Sequence, residues 1–150
     1  MEVIITSIPV EAPGAKLRRK RSEGPKPIMA KVAVCSLNHW AEKNGFPTCK
    51  FYDTDMLYPS DEEIEKYFIK NKTDVVGFSA VVTTSYLQVK RLARIIKKVN
   101  KKTLIVCGGY LTSAANTILK KTEVDVCVVG DGEIAWVGIL NYMKEHLSNG

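Results

Sequence analysis

The sequence predicts an α/β domain built on a doubly wound, five-stranded parallel sheet in the order 2-1-3-4-5, with helices on both faces. Three observations carry this. Apolar, β-rich runs alternate with helical patterns five times along 150 residues, the size of one compact domain. The third, fourth and fifth runs are nearly continuous in apolar residues, as in strands buried on both faces of a parallel sheet. Right-handed crossovers between five such units place the chain reversal between strands one and three.

The first strand is Val3–Ile8, and a Pro-, Gly- and charge-rich loop covers 9–27. A helix is expected over about 28–44, with Met29, Val32, Ala33, Ser36, Leu37 and Trp40 as its apolar stripe and Asn44-Gly45 as its stop. A short strand near Lys50-Phe51-Tyr52 follows. Ser60-Asp61-Glu62-Glu63 then reads as a capping box, ahead of Ile64, Tyr67 and Phe68 at helical spacing. The third strand is Asp74–Ser79. Its helix, about 85–99, turns Val89, Leu92, Ala93, Ile96 and Val99 inward and a Lys/Arg series outward. The fourth strand, Thr103–Cys107, stops at Gly108-Gly109. Ser113 is the expected N-cap of a short helix over about 114–121. The fifth strand, Val124–Val129, leads through Gly130-Asp131-Gly132-Glu133 into a last helix with Trp136, Leu140, Met143 and Leu147 on one face.

Composition narrows the function classes. Hydrophobic content of 45% and charged content of 25% are those of a globular domain. No apolar run approaches membrane-spanning length, and the N-terminus lacks a signal-peptide pattern, so a cytoplasmic protein is expected. The four cysteines, Cys35, Cys49, Cys107 and Cys127, are too dispersed for a zinc knuckle, a CxxC pair or a CxxxCxxC cluster site. The net charge of +6 gathers in Lys16–Arg21 and in Lys90–Lys102. The second cluster reads as a solvated helix face. The first, in a Pro/Gly-flanked segment, is open to three readings, a mobile loop, an anion contact or a nucleic-acid patch; without interleaved aromatics it is weak evidence for nucleic acid, and such a partner is not expected.

Ligands of such sheets bind at the C-terminal strand ends. Those ends carry glycines and hydroxyls, with no nucleophile beside a base. His39 and His146 fall on the first and last helices. General acid–base catalysis is therefore hard to build, and no catalytic or metal-ligating residue is assigned. A GxGxxG after strand one, a GxxxxGKS/T loop and an Asp at the end of strand three are all absent. Two readings of Gly108-Gly109 remain open: a tight strand-to-helix turn, or a pocket floor where a ligand meets bare backbone.

Ser79-x-Val81 is separated from Gly108-Gly109 by 26 residues, 82–107. This resembles the second half of the cobalamin-binding signature, Ser-x-Leu followed at this distance by Gly-Gly. "DVVGFSAVVTTSYLQVKRLARIIKK", "LIVCGGYLTS" and "DVCVVGDGE" are similar to the N-terminal cobalamin-binding domain of cobalamin-dependent radical SAM enzymes. The likeness is close over 74–147 and looser over 1–73, where Pro27-Ile28 opening a helix is the main match. The resemblance implies that Ser79 and the paired glycines flank a slot for the dimethylbenzimidazole tail, with the corrin ring across the strand ends. The implied cofactor-binding set is Ser79, Val81, Thr83, Thr84, Gly108, Gly109, Tyr110, Thr112, Gly130, Asp131, Gly132 and Glu133. The Asp-x-His-x-x-Gly stretch is absent, which implies a base-off cofactor without a histidine ligand. Val81 stands for Leu, Tyr110 for Pro, Leu111 for His, and GDGE for GEGE. The resemblance further implies one cobalamin-binding domain over 1–150. A radical SAM core, with its S-adenosylmethionine and 4Fe–4S cluster, would lie outside this chain and be its partner in methyl transfer or radical rearrangement. The alternative is a cofactor-free interaction domain of the same fold.

Overall fold

The computed structural model describes residues 1–10 and 31–148. Its elements are β1 (Val3–Ser7), α1 (Val32–Lys43), β2 (Lys50–Asp53), α2 (Thr54–Leu57), α3 (Asp61–Lys70), β3 (Val75–Ser79), α4 (Tyr86–Val99), β4 (Leu104–Gly108), α5 (Ala115–Lys121), β5 (Val126–Cys127) and α6 (Glu133–Ser148). The sheet has five strands in the order β2-β1-β3-β4-β5, with every pairing parallel, as expected. Positions 11–27 of the expected loop, with its Lys16–Arg21 cluster, and positions 28–30 of the expected first helix lie outside the described residues.

Alternation along the strands builds two cores. Ile4, Val76 and Ile105 stand in register and pack under α3, α4 and α5, against Ile64, Phe68, Leu92, Ile96 and Ile118. The next row, Ile5, Gly77, Val106 and Val126, faces α1 and α6. Gly77 is the notch in that row: a Cβ there would stand 2.9 Å from the Trp136 ring. The absent side chain lets α6 lay its indole on the sheet. Ser60 and Glu63 form the predicted capping box at α3. The α4 residues expected inside are inside, with Val99 half-buried. Its outer cations are ion-paired in part, Arg91 to Asp61 at 2.6 Å, Lys98 to Glu65 at 2.8 Å and Lys97 to Asp125 at 2.8 Å.

Several local expectations are corrected. In α1 the inward residues are Val34, Leu37 and Ala41, whereas Val32, Ala33 and Trp40 are exposed. The chain holds two competing stripes, and the one with smaller side chains meets the sheet and α6. Ser113 does not cap α5. A 3-10 turn over Tyr110–Ala114 comes first, and α5 starts after Ala114 with no side-chain cap. β5 is two residues long. At its start the Asp125 carboxylate takes the Ile105 N–H at 2.7 Å in place of a strand carbonyl. Leu147 is exposed in the last turn of α6. Among the described residues no helix is long and apolar enough to cross a membrane.

Candidate functional site

The parallel register brings Ser7, Ser79 and Gly108 side by side at the C-terminal ends of the three central strands. Backbone bonds hold the chain together just beyond them. Ile8 N–H donates to Ser79 O at 3.0 Å, Ala80 N–H to Gly108 O at 3.0 Å, and Leu111 N–H to Ala80 O at 3.1 Å. The last two draw the turn after β4 against the turn after β3.

The paired glycines have different roles. Gly109 sits at φ 93°, ψ −178°, a region only glycine occupies freely. A Cβ on it would lie 2.5 Å from Ala80 O. It is a turn glycine and a close-approach glycine together. Gly108 is unconstrained: the nearest atom to a Cβ there is Phe78 O at 3.9 Å. Beside it, Ser79 is half-buried, and its hydroxyl has no hydrogen-bond partner among the described residues.

The two residues after the glycines part company. Leu111 enters the core, and Tyr110 is 75% exposed. Val81 (59% exposed) and Val129 (69%) are likewise open at the ends of neighbouring strands.

Of the other members of the predicted set, Thr84, Thr112, Gly132 and Glu133 are engaged by the scaffold, whereas Thr83, Gly130 and Asp131 are exposed. Thr83 and Thr84 are exposed on a 3-10 turn, and Thr84 Oγ1 donates to Val10 O at 2.5 Å, tying the turn to the segment after β1. Thr112 is buried, its hydroxyl 2.7 Å from Gly109 O and 3.0 Å from Val128 O. Gly130 turns at φ 88° with nothing near its Cβ position, and Asp131 is exposed. Gly132 packs against Leu37. Glu133 accepts a hydrogen bond from Ser36 Oγ at 2.6 Å, and that bond, followed by its own backbone N–H, holds its carboxyl below the usual range.

A polar cluster on the β2 side was not anticipated. Ser7 Oγ donates to Asp53 Oδ1, and Thr54 Oγ1 donates to Ser7 O at 2.6 Å. Lys31 Nζ bonds Asp55 Oδ2 at 2.7 Å. Its members are dispersed in the chain; the sequence signal available was Asp53-Thr54-Asp55 at a strand end. His39 is exposed on α1, and His146 stacks on Tyr142. The buried Cys107 thiol is pushed up to about 12 by desolvation, the opposite of an activated nucleophile. Among the described residues no group of three or more His, Cys, Asp or Glu could hold a metal ion. Clefts of about 290, 330 and 350 Å³ lie elsewhere, and none of their lining residues belongs to the predicted set.

At the strand ends the structure thus offers open backbone at Gly108 beside Ser79, with Val81, Tyr110 and Val129 exposed. The sequence matches the family described as B12 binding domain over residues 26–140. The structure is similar to that of the radical S-adenosylmethionine methyltransferase TsrM from Kitasatospora setae, solved with its tryptophan substrate and a SAM analog. The TM-score is 0.75 at 15% identity, over 97% of this chain and 26% of that one. The chain thus spans about a quarter of the length of that methyltransferase. No curated relative matches it.

Proposed function

Since the chain belongs to the B12-binding domain family, we propose that its strand-end edge holds cobalamin, base-off and without a histidine ligand, for a radical SAM protein. The observation that carries this reading is the register pairing of Ser79 with Gly108, where a hydroxyl without a hydrogen-bond partner among the described residues lies beside open backbone. Gly108 would give the nucleotide tail passage along the strand, and the Ser79 hydroxyl would bond its polar atoms. Val81, Tyr110 and Val129 would cover the corrin. Cobalamin would supply a cobalt centre that carries an exchangeable axial group, and the protein's part is to bind, orient and shield it. The His-off state is supported by the lack of an Asp-x-His-x-x-Gly stretch after β1.

The radical SAM context is supported by the motif set around β3, β4 and β5 and by the fold shared with TsrM. S-adenosylmethionine and the iron–sulfur cluster would be held by another part of such a protein, since this sequence has no CxxxCxxC. The reaction would be methyl transfer or a radical rearrangement. Four free thiols suit a reducing cytoplasm.

The test is direct. Purified protein is mixed with hydroxocobalamin and desalted, and corrin absorbance is expected to co-elute in near-stoichiometric amount. Gly108→Phe is expected to lose that absorbance while keeping the circular dichroism of the parent. Wild-type protein that elutes without corrin would refute the reading and favour a cofactor-free interaction domain.

A further inference from the structure

Glu133 opens α6 at the end of the turn that leaves β5, and its carboxylate is engaged by Ser36 of α1. The two residues are 97 positions apart, so the bond joins separate elements. The turn needs such a support. Its tip, Gly130, has nothing within 4 Å of its Cβ position, and Asp131 is exposed. The base of the turn is held by Gly132 against Leu37, 3.5 Å from a Cβ position, by the Trp136 N–H donated to Gly132 O at 2.7 Å, and by the Glu133–Ser36 bond. Leu37 and Ser36 both lie on α1. That helix is tied on its other side as well, where Lys31, just before it, bonds Asp55 after β2. The first two turns of α1 therefore link the β2 end of the strand-end edge to the start of α6.

We infer that Glu133 is a positioning residue for the cobalamin edge, acting through Ser36 and not by touching the cofactor. The inference rests on the cobalamin reading. The Ser36 hydroxyl fixes the Glu133 carboxylate, the carboxylate fixes the first turn of α6, and the Gly130–Gly132 turn is thereby held at the height of the corrin.

The test is a double-mutant cycle read by hydroxocobalamin titration of wild type, Ser36→Ala, Glu133→Ala and the double variant, with Ser36→Thr as the conservative control. Each single alanine variant is expected to weaken Kd roughly tenfold, the low end of what one hydrogen bond to a charged group is worth. The double variant is expected to be no weaker than the worse single one. Ser36→Thr, which keeps the hydroxyl, should bind like wild type. Urea midpoints, measured alongside, should move too little to account for the lost affinity. If Glu133→Ala costs as much in the Ser36→Ala background as in wild type, Glu133 meets the ligand itself and the inference is overturned. Unchanged affinity in both single variants also overturns it. Failure of the wild type to bind would remove the cobalamin reading and this inference together, whereas additive losses remove the inference alone.

Discussion

Gly108 and Gly109 are adjacent and identical, yet alanine at the two positions should have opposite effects on stability. At Gly109 the backbone lies in a region that costs a side-chain-bearing residue about 1–3 kcal/mol. The new methyl would also meet a backbone oxygen at 2.5 Å. That oxygen accepts the Leu111 N–H, so it cannot move away without straining the bond. Overpacking against a fixed group adds about 1–3 kcal/mol, for a total of about 4 kcal/mol. In a domain of this size that lowers Tm by about 10 °C. At Gly108 the methyl has free space, and the lost freedom of the unfolded chain should stabilise the protein by about 0.5 kcal/mol. Urea unfolding followed by circular dichroism measures both. Equal losses at the two positions, or a Gly109→Ala midpoint indistinguishable from wild type, would refute the division of labour between the glycines.

Two further outcomes follow from buried groups. Thr112→Val keeps the shape but removes the hydroxyl that reaches Gly109 O and Val128 O; it should destabilise by about 1 kcal/mol in urea unfolding. An unchanged midpoint would show that the turn after β4 does not need this bond. Burial raises the thiol of Cys49 to about 11 and that of Cys107 to about 12, from an ordinary value of 9.0. The stability they contribute is intact below the ordinary value and lost as pH rises toward the folded values. Urea midpoints should therefore hold from about pH 7 to about pH 8.5 and fall by about pH 10. A thiol reagent at neutral pH should modify exposed Cys35 first and reach Cys49 and Cys107 only on unfolding.

What could be read from the sequence is what depends on one residue's neighbours along the chain. The capping box at Ser60 and the inward face of α4 follow from local spacing, and the structure has both. The Ser79 to Gly108 distance was legible because one βα unit separates them, which forces the two strand ends together. Features decided by remote contacts were not legible. Whether α1 buries Val34 or Val32 depends on α6, which lies far along the chain. β5 is short because Asp125 competes for Ile105 N–H. That Glu133 is hydrogen-bonded by Ser36, 97 positions away, has no signature in its own stretch of sequence. The paired glycines at the end of β4 look alike in sequence because the difference lies in Ala80, a residue of another turn.

The alignment of Ser7, Ser79 and Gly108 has a consequence for how such an edge stays true. Nothing in these small side chains fixes the level at which the strands stop. The core does so from below. A one-residue slip of β4 against β3 would carry Gly108 out of line with Ser79, but it would also turn Ile105 away from α4 and send Val106 into its place. The hydrophobic layers thus act as a ruler: each strand is measured against its neighbours through its whole length, and the flat end is where that measurement is read.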